Sequence, residues 1–305
     1  MAGVRIPVQL AAAVAEDRAP GRHSWLASLP ARVRDLASEW ELELGEPYEP
    51  GGQCAWVAPA CSPAHDDDLV LKLGWRHWEA EQEAAALRLW NGDGAVRCLA
   101  QRRFDETDAL LLERCVPGGP LVDLLPEPAQ DVVVATLLRR LWAHPLPAGH
   151  GFSSLALMCG RWAHELERDL EAAGADRDTG VPAAGELDPG LVRAGADLLR
   201  ELPAGADREV LLCTDLHAGN ILASRREPWL AIDPKPFVGD PAYDAVQHLL
   251  NCDARLTSDP VGLAERLAGL LDVDARRVRL WLFARCAQES LHDRALRDPA
   301  RRLAP

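Results

Sequence analysis

Residues 214–222, with the sequence TDLHAGNIL, constrain the fold more than any other stretch of this chain. They form a polar, glycine-containing turn between two short apolar stretches, 210–214 and 228–233, whose composition is typical of strands. The turn carries a carboxylate, Asp215, and a carboxamide, Asn220, and the second strand ends in another carboxylate, Asp233. Because a strand–loop–strand connection returns the chain beside itself, we expect these three side chains to converge.

An antiparallel sheet is predicted upstream of this turn. Its strands are expected within 41–60 on either side of Gly51 and Gly52, at 69–73, and as a pair within 96–115. A helix rich in Ala, Glu and Leu is predicted over 76–90 and is stopped by the sequence NGDG. This order of elements indicates an α+β lobe over residues 1–115.

The rest of the chain is mostly helical by its pattern. Residues 116–121, VPGGPL, interrupt the preceding alternation, and we place the lobe boundary there. Apolar residues then recur at helical spacing. The main helices are expected at 129–144, 154–173 and 189–202. The sequence therefore predicts an α+β fold of two lobes, an N-lobe with an antiparallel sheet plus a helix (1–115) and a mostly helical C-lobe (116–305).

The composition argues against several classes of partner. A net charge of −14 disfavours nucleic acid and anionic membranes, and it permits a cationic small molecule. The aliphatic runs are far shorter than the roughly 20 residues that a bilayer crossing needs. Eight scattered cysteines without a C-x-x-C pair indicate thiols in a reducing compartment. We therefore expect a cytoplasmic protein, a monomer or homodimer, whose partner is a small molecule.

Lysine is scarce in this chain, which makes its two lysines informative. Of the 33 basic residues, only Lys72 and Lys235 are lysines. Each is a candidate for a site that needs a compact ammonium instead of a wide guanidinium. Lys72 lies in the middle of a predicted strand, and its expected partner is Glu83 on the following helix, with Glu79 as the alternative. The competing interpretation of Lys72 is an edge-strand lysine that discourages aggregation.

The spacing D-x-x-x-x-N of Asp215 and Asn220 is that of a kinase catalytic loop. Phosphoryl transfer needs a carboxylate that accepts the proton of the attacking hydroxyl, and an oxygen ligand for Mg²⁺ on the same loop. Asp233 offers a second carboxylate for a hard divalent cation. Lys72, held by Glu83, is placed to reach the α- and β-phosphates of ATP. We therefore predict Asp215 as the base and Asn220 and Asp233 as metal ligands.

Two further segments are candidate nucleotide contacts. The turn at Gly51 and Gly52 is either a mobile cover for the nucleotide phosphates or a plain hairpin turn. Glu113 and Cys115 end the last strand before the lobe boundary, where backbone groups are placed to contact adenine. This second assignment rests on position alone.

Three residues near the turn have two interpretations each. His217 contacts the nucleotide or metal, or it braces the loop through a hydrogen bond. Lys235 approaches phosphate or substrate, or it is structural. Asp240, together with Asp244, caps the following helix and braces the loop, or it faces a cationic substrate.

The segments CTDLHAGNIL (213–222) and WLAIDPKPFVGDPAYD (229–244) resemble the aminoglycoside phosphotransferase family, in its streptomycin 6-kinase/hydroxyurea phosphotransferase branch. The resemblance extends through WELELGEPYEPGGQ, LVLKL, ALRLWNGDGAVR and ALLLER, and so covers most of the chain. It implies a two-lobed protein-kinase-like fold that uses ATP with Mg²⁺. It further implies transfer of the γ-phosphoryl group to a hydroxyl of an aminoglycoside-type antibiotic, which inactivates the drug. The matching positions carry over the roles already assigned to Lys72, Glu83, Asp215, Asn220 and Asp233.

The chain departs from that family directly before the catalytic aspartate, where His-Gly is replaced by Cys213 and Thr214. A cysteine forms weaker hydrogen bonds than a histidine, so we expect a changed loop support with the base intact. Three alternatives stay open: a kinase of another hydroxylated metabolite or antibiotic, a nucleotide-binding pseudokinase, and a metallohydrolase built on Asp215, His217 and Asp233. Acceptor contacts are expected from the variable helices and the 174–188 loop.

Overall fold

The computed structural model describes residues 3–17, 19, 21–172 and 186–305, with the backbone alone for 65–67. The chain forms two compact units. Unit 1 comprises residues 1–119 and 222–232, and unit 2 comprises residues 120–221 and 233–305.

Unit 1 is built on a five-stranded antiparallel sheet in the order β1-β2-β3-β5-β4. Its elements are α1 (Val8–Glu16), α2 (Arg22–Glu39), β1 (Glu43–Leu44), β2 (Ala55–Ser62), β3 (His65–Trp75), α3 (Glu83–Trp90), β4 (Cys98–Phe104) and β5 (Thr107–Glu113). Leu69, Leu71 and Leu73 point from β3 into a core that also contains Leu29 and Val33 of α2. Because side chains alternate along a strand, Lys72 lies on the opposite face of the sheet from these leucines.

Two boundaries in this unit differ from the sequence prediction. The strand expected at 69–73 begins four residues earlier, at His65, and ends at Trp75. The helix expected over 76–90 begins only at Glu83. Arg76 donates its backbone N–H to the Glu106 carbonyl at 2.8 Å. The residues that follow form successive four-residue turns, such as the one closed by the Ala80 N–H and the His77 carbonyl at 3.1 Å. Tertiary hydrogen bonding has therefore overridden the helical propensity of this segment.

A second, three-stranded sheet has the order β6-β8-β9 and consists of β6 (Pro117–Pro120), β8 (Ile221–Ser224) and β9 (Trp229–Ala231). Backbone hydrogen bonds between Ala231 and residues 94–96 attach β9 to unit 1. The boundary that we placed after residue 115 thus lies after residue 119 by contacts, and the 222–232 hairpin, which we expected in the C-lobe, belongs to unit 1.

Unit 2 is mainly helical. Its helices are α4 (Leu121–Leu124), α5 (Glu127–Trp142), α6 (Leu155–Ala172), α7 (Pro189–Glu201), α8 (Ala245–Leu250), α9 (Asp253–Ser258), α10 (Pro260–Leu271), α11 (Ala275–Glu289) and α12 (Arg297–Leu303). Helices α5, α6 and α7 lie within two residues of the predicted segments. Helix α11 packs against α7 and α10 and buries Trp281 and Phe283 completely. None of the described helices is both long enough and apolar enough to span a membrane.

Two short strands in unit 2 hold the turn from which the sequence argument started. Strand β7 (Val210–Leu212) pairs in an antiparallel manner with β10 (Phe237–Gly239). The register joins Leu212 to Phe237, so the residues that follow β7 run beside those that precede β10. The 174–188 loop, expected to contact the acceptor, lies largely outside the described residues, which resume at Glu186.

Candidate functional site

The residues directly before Asp215 are anchored by a buried carboxylate, that of Asp244. Its oxygens accept hydrogen bonds from the backbone N–H groups of Cys213 (3.0 Å) and Thr214 (2.7 Å) and from the Trp142 indole (2.8 Å). The residue is only 1% exposed, and burial raises its pKa to about 6 although the three donors act in the opposite direction. Asp244 therefore braces the loop, as expected, through the backbone groups of the two residues before Asp215.

Two residues of this region have left-handed backbone conformations. Thr214 has φ of 50° and Asp233 has φ of 53°. Such a conformation is unusual for any residue other than glycine and costs about 1–3 kcal/mol. The threonine hydroxyl donates to the Lys235 carbonyl, which offsets part of this cost. The family that the sequence resembles has a glycine at this position, and glycine adopts such a φ without strain. Thr214 lacks that conformational freedom but forms a hydrogen bond that glycine cannot form.

The turn brings Asp215, Asn220 and Lys235 together. The Lys235 ammonium lies 2.8 Å from Oδ2 of Asp215. The Asn220 side-chain nitrogen donates to the Asp215 carbonyl at 3.0 Å, which explains the interval between the two residues. Since the amide nitrogen is used in this bond, the amide oxygen is the atom left to coordinate a cation.

His217 has the bracing role that we considered for it. Its Nδ1 accepts the backbone N–H of Gly219 at 3.1 Å, and its carbonyl accepts the N–H of Asn220 at 2.9 Å. Burial lowers the pKa of His217, whereas the carboxylates of Asp215 and Asp233 act to raise it. A neutral imidazole with Nδ1 as acceptor is consistent with that direction.

The carboxylate of Asp240 accepts hydrogen bonds from other residues of the chain. One oxygen accepts the Ala242 N–H at 3.0 Å, and the other accepts the Trp281 indole at 2.6 Å and the Arg277 guanidinium. The residue is 3% exposed. These contacts favour loop support over contact with a cationic acceptor. Arg277 was not identified as a partner from the sequence, because no local pattern selects it.

In unit 1, Lys72 and Glu83 form a buried ion pair. The ammonium nitrogen lies 2.7 Å from each of the two Glu83 carboxylate oxygens. Lys72 is 9% exposed and Glu83 is 4% exposed. Glu83 is the first residue of α3, so the late start of that helix places its carboxylate beside the strand that carries Lys72.

The turn at Gly51 and Gly52 lies between β1 and β2 but is not a tight hairpin, because β1 pairs with the far end of β2. Gly51 has φ of 82°, and a Cβ added there would come within 2.5 Å of Pro7 Cβ. The adjacent Pro50 carbonyl accepts the Gln9 N–H at 3.0 Å. Gly51 is thus packed against the N-terminal segment, whereas Gly52 has open space around it.

Glu113 is also committed to contacts within unit 1. Its carboxylate binds the Arg226 guanidinium at 2.7 and 3.0 Å, and its backbone N–H donates to the Arg97 carbonyl at 2.9 Å. Arg226 further donates to the carbonyls of Gly92 and Ala95. This arginine ties the β8–β9 hairpin to the end of β5 and was missed from the sequence. Cys115, the other candidate here, is buried.

Within the described part of the chain, one buried group combines three potential metal ligands closely, namely Asp131, His248 and Cys252. Asp131 is already bound by Arg255 at 2.8 and 3.0 Å and by Arg266 at 2.7 Å. Two guanidinium groups on one carboxylate oppose the binding of a cation there. Among the described residues, Asp215, His217 and Asp233 do not form such a close group.

The chain is similar to known proteins over most of its length. A family model described as aminoglycoside/hydroxyurea antibiotic resistance kinase matches residues 59–294. The chain is 34% identical to streptomycin 6-kinase of Streptomyces glaucescens, over 97% of this chain and 94% of that protein. It is 35% identical to hydroxyurea phosphotransferase of Kitasatospora aureofaciens, over 94% of this chain and 80% of that protein.

The fold is similar to that of a spectinomycin phosphotransferase solved with ADP and spectinomycin, with a TM-score of 0.55 at 13% identity, over 87% of this chain and 88% of that one. The protein-kinase-like fold and the class of enzyme, a phosphotransferase with an alcohol group as acceptor, are thus confirmed. The chain belongs to the family of aminoglycoside/hydroxyurea antibiotic resistance kinases.

Proposed function

We propose that this protein transfers the γ-phosphoryl group of ATP to a hydroxyl of a streptomycin-like aminoglycoside and thereby inactivates the drug. The observation that carries the proposal is the anchored turn, in which Asp215 and Asn220 are held on one loop by backbone and side-chain hydrogen bonds. Similarity to streptomycin 6-kinase over nearly the whole of both chains supports this acceptor class.

Asp215 is the proposed general base. It accepts the proton of the acceptor hydroxyl while that oxygen bonds to the γ-phosphorus, and the bond to the β–γ bridging oxygen breaks to release ADP. Holding the base in place before the acceptor arrives contributes to catalysis because less orientation must be achieved in the transition state. The anchoring by Asp244 and Asn220 serves this purpose.

Asn220 and Asp233 fit a magnesium ion, because an amide oxygen and a carboxylate are the hard oxygen donors that Mg²⁺ prefers. When bound, the ion would neutralise charge on the β- and γ-phosphates. In unit 1, we propose that Lys72, held by Glu83, binds the α- and β-phosphates.

Two further nucleotide contacts are proposed from backbone groups of unit 1. Since the Glu113 N–H is used within unit 1, we propose its carbonyl and the backbone of Cys115 as adenine contacts. Gly52, with open space around it, is the better of the two glycines for covering phosphates.

A second acceptor, hydroxyurea, is favoured by the similarity to hydroxyurea phosphotransferase, which is as strong as that to streptomycin 6-kinase. Hydroxyurea is small and neutral, whereas streptomycin is large and cationic. The net charge of −14 favours the cationic acceptor. Each drug carries a hydroxyl group to which a phosphoryl group can be added.

The test is mass spectrometry of reactions that contain the protein, Mg-ATP and either streptomycin or hydroxyurea. We expect a gain of one phosphate on streptomycin, and Asp215→Asn should lower kcat by about 10³-fold with little change in the KM for ATP. Asp207→Asn, an exposed aspartate of the same unit, is the matched control and should be fully active.

If only hydroxyurea gained a phosphate, hydroxyurea would replace the aminoglycoside as the proposed acceptor. A thermal shift with Mg-ATP without transfer to either drug or to other hydroxylated compounds would favour the pseudokinase. Transfer that survives in Asp215→Asn would remove the assignment of the base.

A further inference from the structure

Lys235 contacts three consecutive residues, 213–215, the last of which is the proposed base. Its Nζ lies 2.8 Å from Oδ2 of Asp215. Its backbone N–H donates to the Cys213 carbonyl at 3.0 Å, and its own carbonyl accepts the Thr214 hydroxyl. The side chain of Lys235 therefore contacts the proposed base, and the backbone of Lys235 contacts Cys213 and Thr214, the two residues before that base.

The sequence around Lys235 restricts its backbone before any contact forms. Pro234 precedes it and Pro236 follows it. A following proline disfavours the helical region for Lys235, and each proline fixes its own φ. Less backbone freedom is therefore lost when the ammonium is placed against Asp215, and the ion pair is better defined than a pair on a flexible loop.

The pair is also partly shielded from water. The Asp215 side chain is 16% exposed and that of Lys235 is 33% exposed. Partly buried charges are screened less by salt than exposed ones. An ammonium is also compact enough to contact a single carboxylate oxygen, whereas a guanidinium tends to engage both. In a chain that otherwise uses arginine, this geometry gives a reason for a lysine.

We propose that Lys235 is a positioning residue for Asp215 and that the Thr214 hydroxyl holds Lys235 in place. This inference rests on the proposed function. By contacting Oδ2, the ammonium fixes the plane of the carboxylate and leaves Oδ1 as the oxygen that accepts the proton of the acceptor hydroxyl. In this proposal Lys235 acts on the reaction through the base.

The first experiment compares Lys235→Ala and Lys235→Arg with the wild type in steady-state kinetics. We expect kcat to fall about 100-fold in Lys235→Ala, the scale of a misplaced base, while the KM values for ATP and for the acceptor change less than about threefold. Arginine should not restore kcat, whereas added ethylammonium should restore part of it in Lys235→Ala. Arg225→Ala, an exposed cation of the chain, is the control and should behave as the wild type.

Two results would overturn the proposal. An unchanged kcat in Lys235→Ala would show that the base needs no such partner. A large rise in the KM for ATP, with kcat retained, would assign Lys235 to nucleotide binding instead.

Variants of Thr214 distinguish a role in positioning Lys235 from a role in stabilising the fold. Thr214→Ser keeps the hydroxyl and should keep kcat. Thr214→Gly removes the hydroxyl but suits the left-handed backbone, so we expect kcat to fall about tenfold while the melting temperature changes by only about 2 °C. If kcat and the melting temperature fell together, the role of Thr214 would be structural and this part of the proposal would be wrong.

A thermal double-mutant cycle tests the pair without turnover. Lys235→Ala should lower the melting temperature more when Asp215 is present than in the Asp215→Ala background. Equal shifts in the two backgrounds would refute the coupling. If the wild type phosphorylated neither drug, the proposed function would fail, but the cycle would still decide whether Lys235 holds Asp215.

Discussion

The buried ion pair of Lys72 and Glu83 makes a strong prediction for stability. Both side chains are less than a tenth exposed, and the ammonium contacts both carboxylate oxygens at 2.7 Å. Replacing Glu83 by Gln removes the negative charge that the buried Lys72 ammonium contacts at both carboxylate oxygens. Breaking a buried pair in this way costs about 3–5 kcal/mol. For a unit of this size we expect a drop in the melting temperature of roughly 10 °C.

The double variant Lys72→Met/Glu83→Leu should lose much less stability than the sum of its single variants, because it removes both charges of the buried pair together. The assay is urea unfolding followed by tryptophan fluorescence, with ATP affinity measured in parallel. Lys72→Met and the double variant should both lose affinity for ATP, although the double variant keeps more of its stability. The loss of affinity would then not follow the loss of stability. This separation distinguishes a phosphate-binding lysine from a purely structural one.

The matched control is the pair of Glu39 and Arg102, which belongs to the same unit but has side chains 44% and 52% exposed. Glu39→Gln should cost less than about 1 kcal/mol, since exposed pairs contribute little. If Glu83→Gln also cost less than about 1 kcal/mol, or if the double variant were simply additive, the argument from burial would be refuted.

Two further predictions concern unit 2. Because the pKa of Asp244 is raised, the folded state binds more protons than the unfolded state between about pH 4 and 6. The contribution of Asp244 to the free energy of unfolding therefore falls by about 3 kcal/mol as the pH rises through that window. Asp244→Asn should lack this part of the pH dependence in urea unfolding. A Cβ at Gly195 would come within 2.6 Å of Ala287 Cβ, so Gly195→Ala should destabilise by about 1–3 kcal/mol, whereas Gly160→Ala, with open space, should stabilise by about 0.5–1 kcal/mol in thermal melts.

Much of the fold could be predicted because its signals are local. A strand was predicted at 69–73 with Lys72 in its middle, and β3 contains all of these residues. Helix α5 shows its period in the sequence and forms within two residues of the predicted position. The distance from Asp215 to Asn220 likewise depends only on the local turn that the two residues share.

The missed features depend on partners far away in the sequence. Strand β6 pairs with β8 about a hundred residues later, and no pattern in the sequence PGGP indicates this partner. Arg226 binds Glu113, but the chain has 31 arginines (33 basic residues less two lysines), so charge alone does not select one. A late helix start was equally hidden, because good helix formers occupy residues 79–82 that tertiary contacts hold in turns.

The replacement of His-Gly by Cys213 and Thr214 shows why a motif has to be read together with its geometry. From the sequence, the loss of glycine before a catalytic aspartate looks like damage to the site. In the structure, Thr214 retains the left-handed conformation and donates its hydroxyl to Lys235. The backbone N–H groups of both residues are still bound by Asp244. These contacts are made by the backbone of residues 213 and 214 and by the Thr214 hydroxyl. We therefore expect the turn to hold the proposed base, Asp215, without the family's histidine.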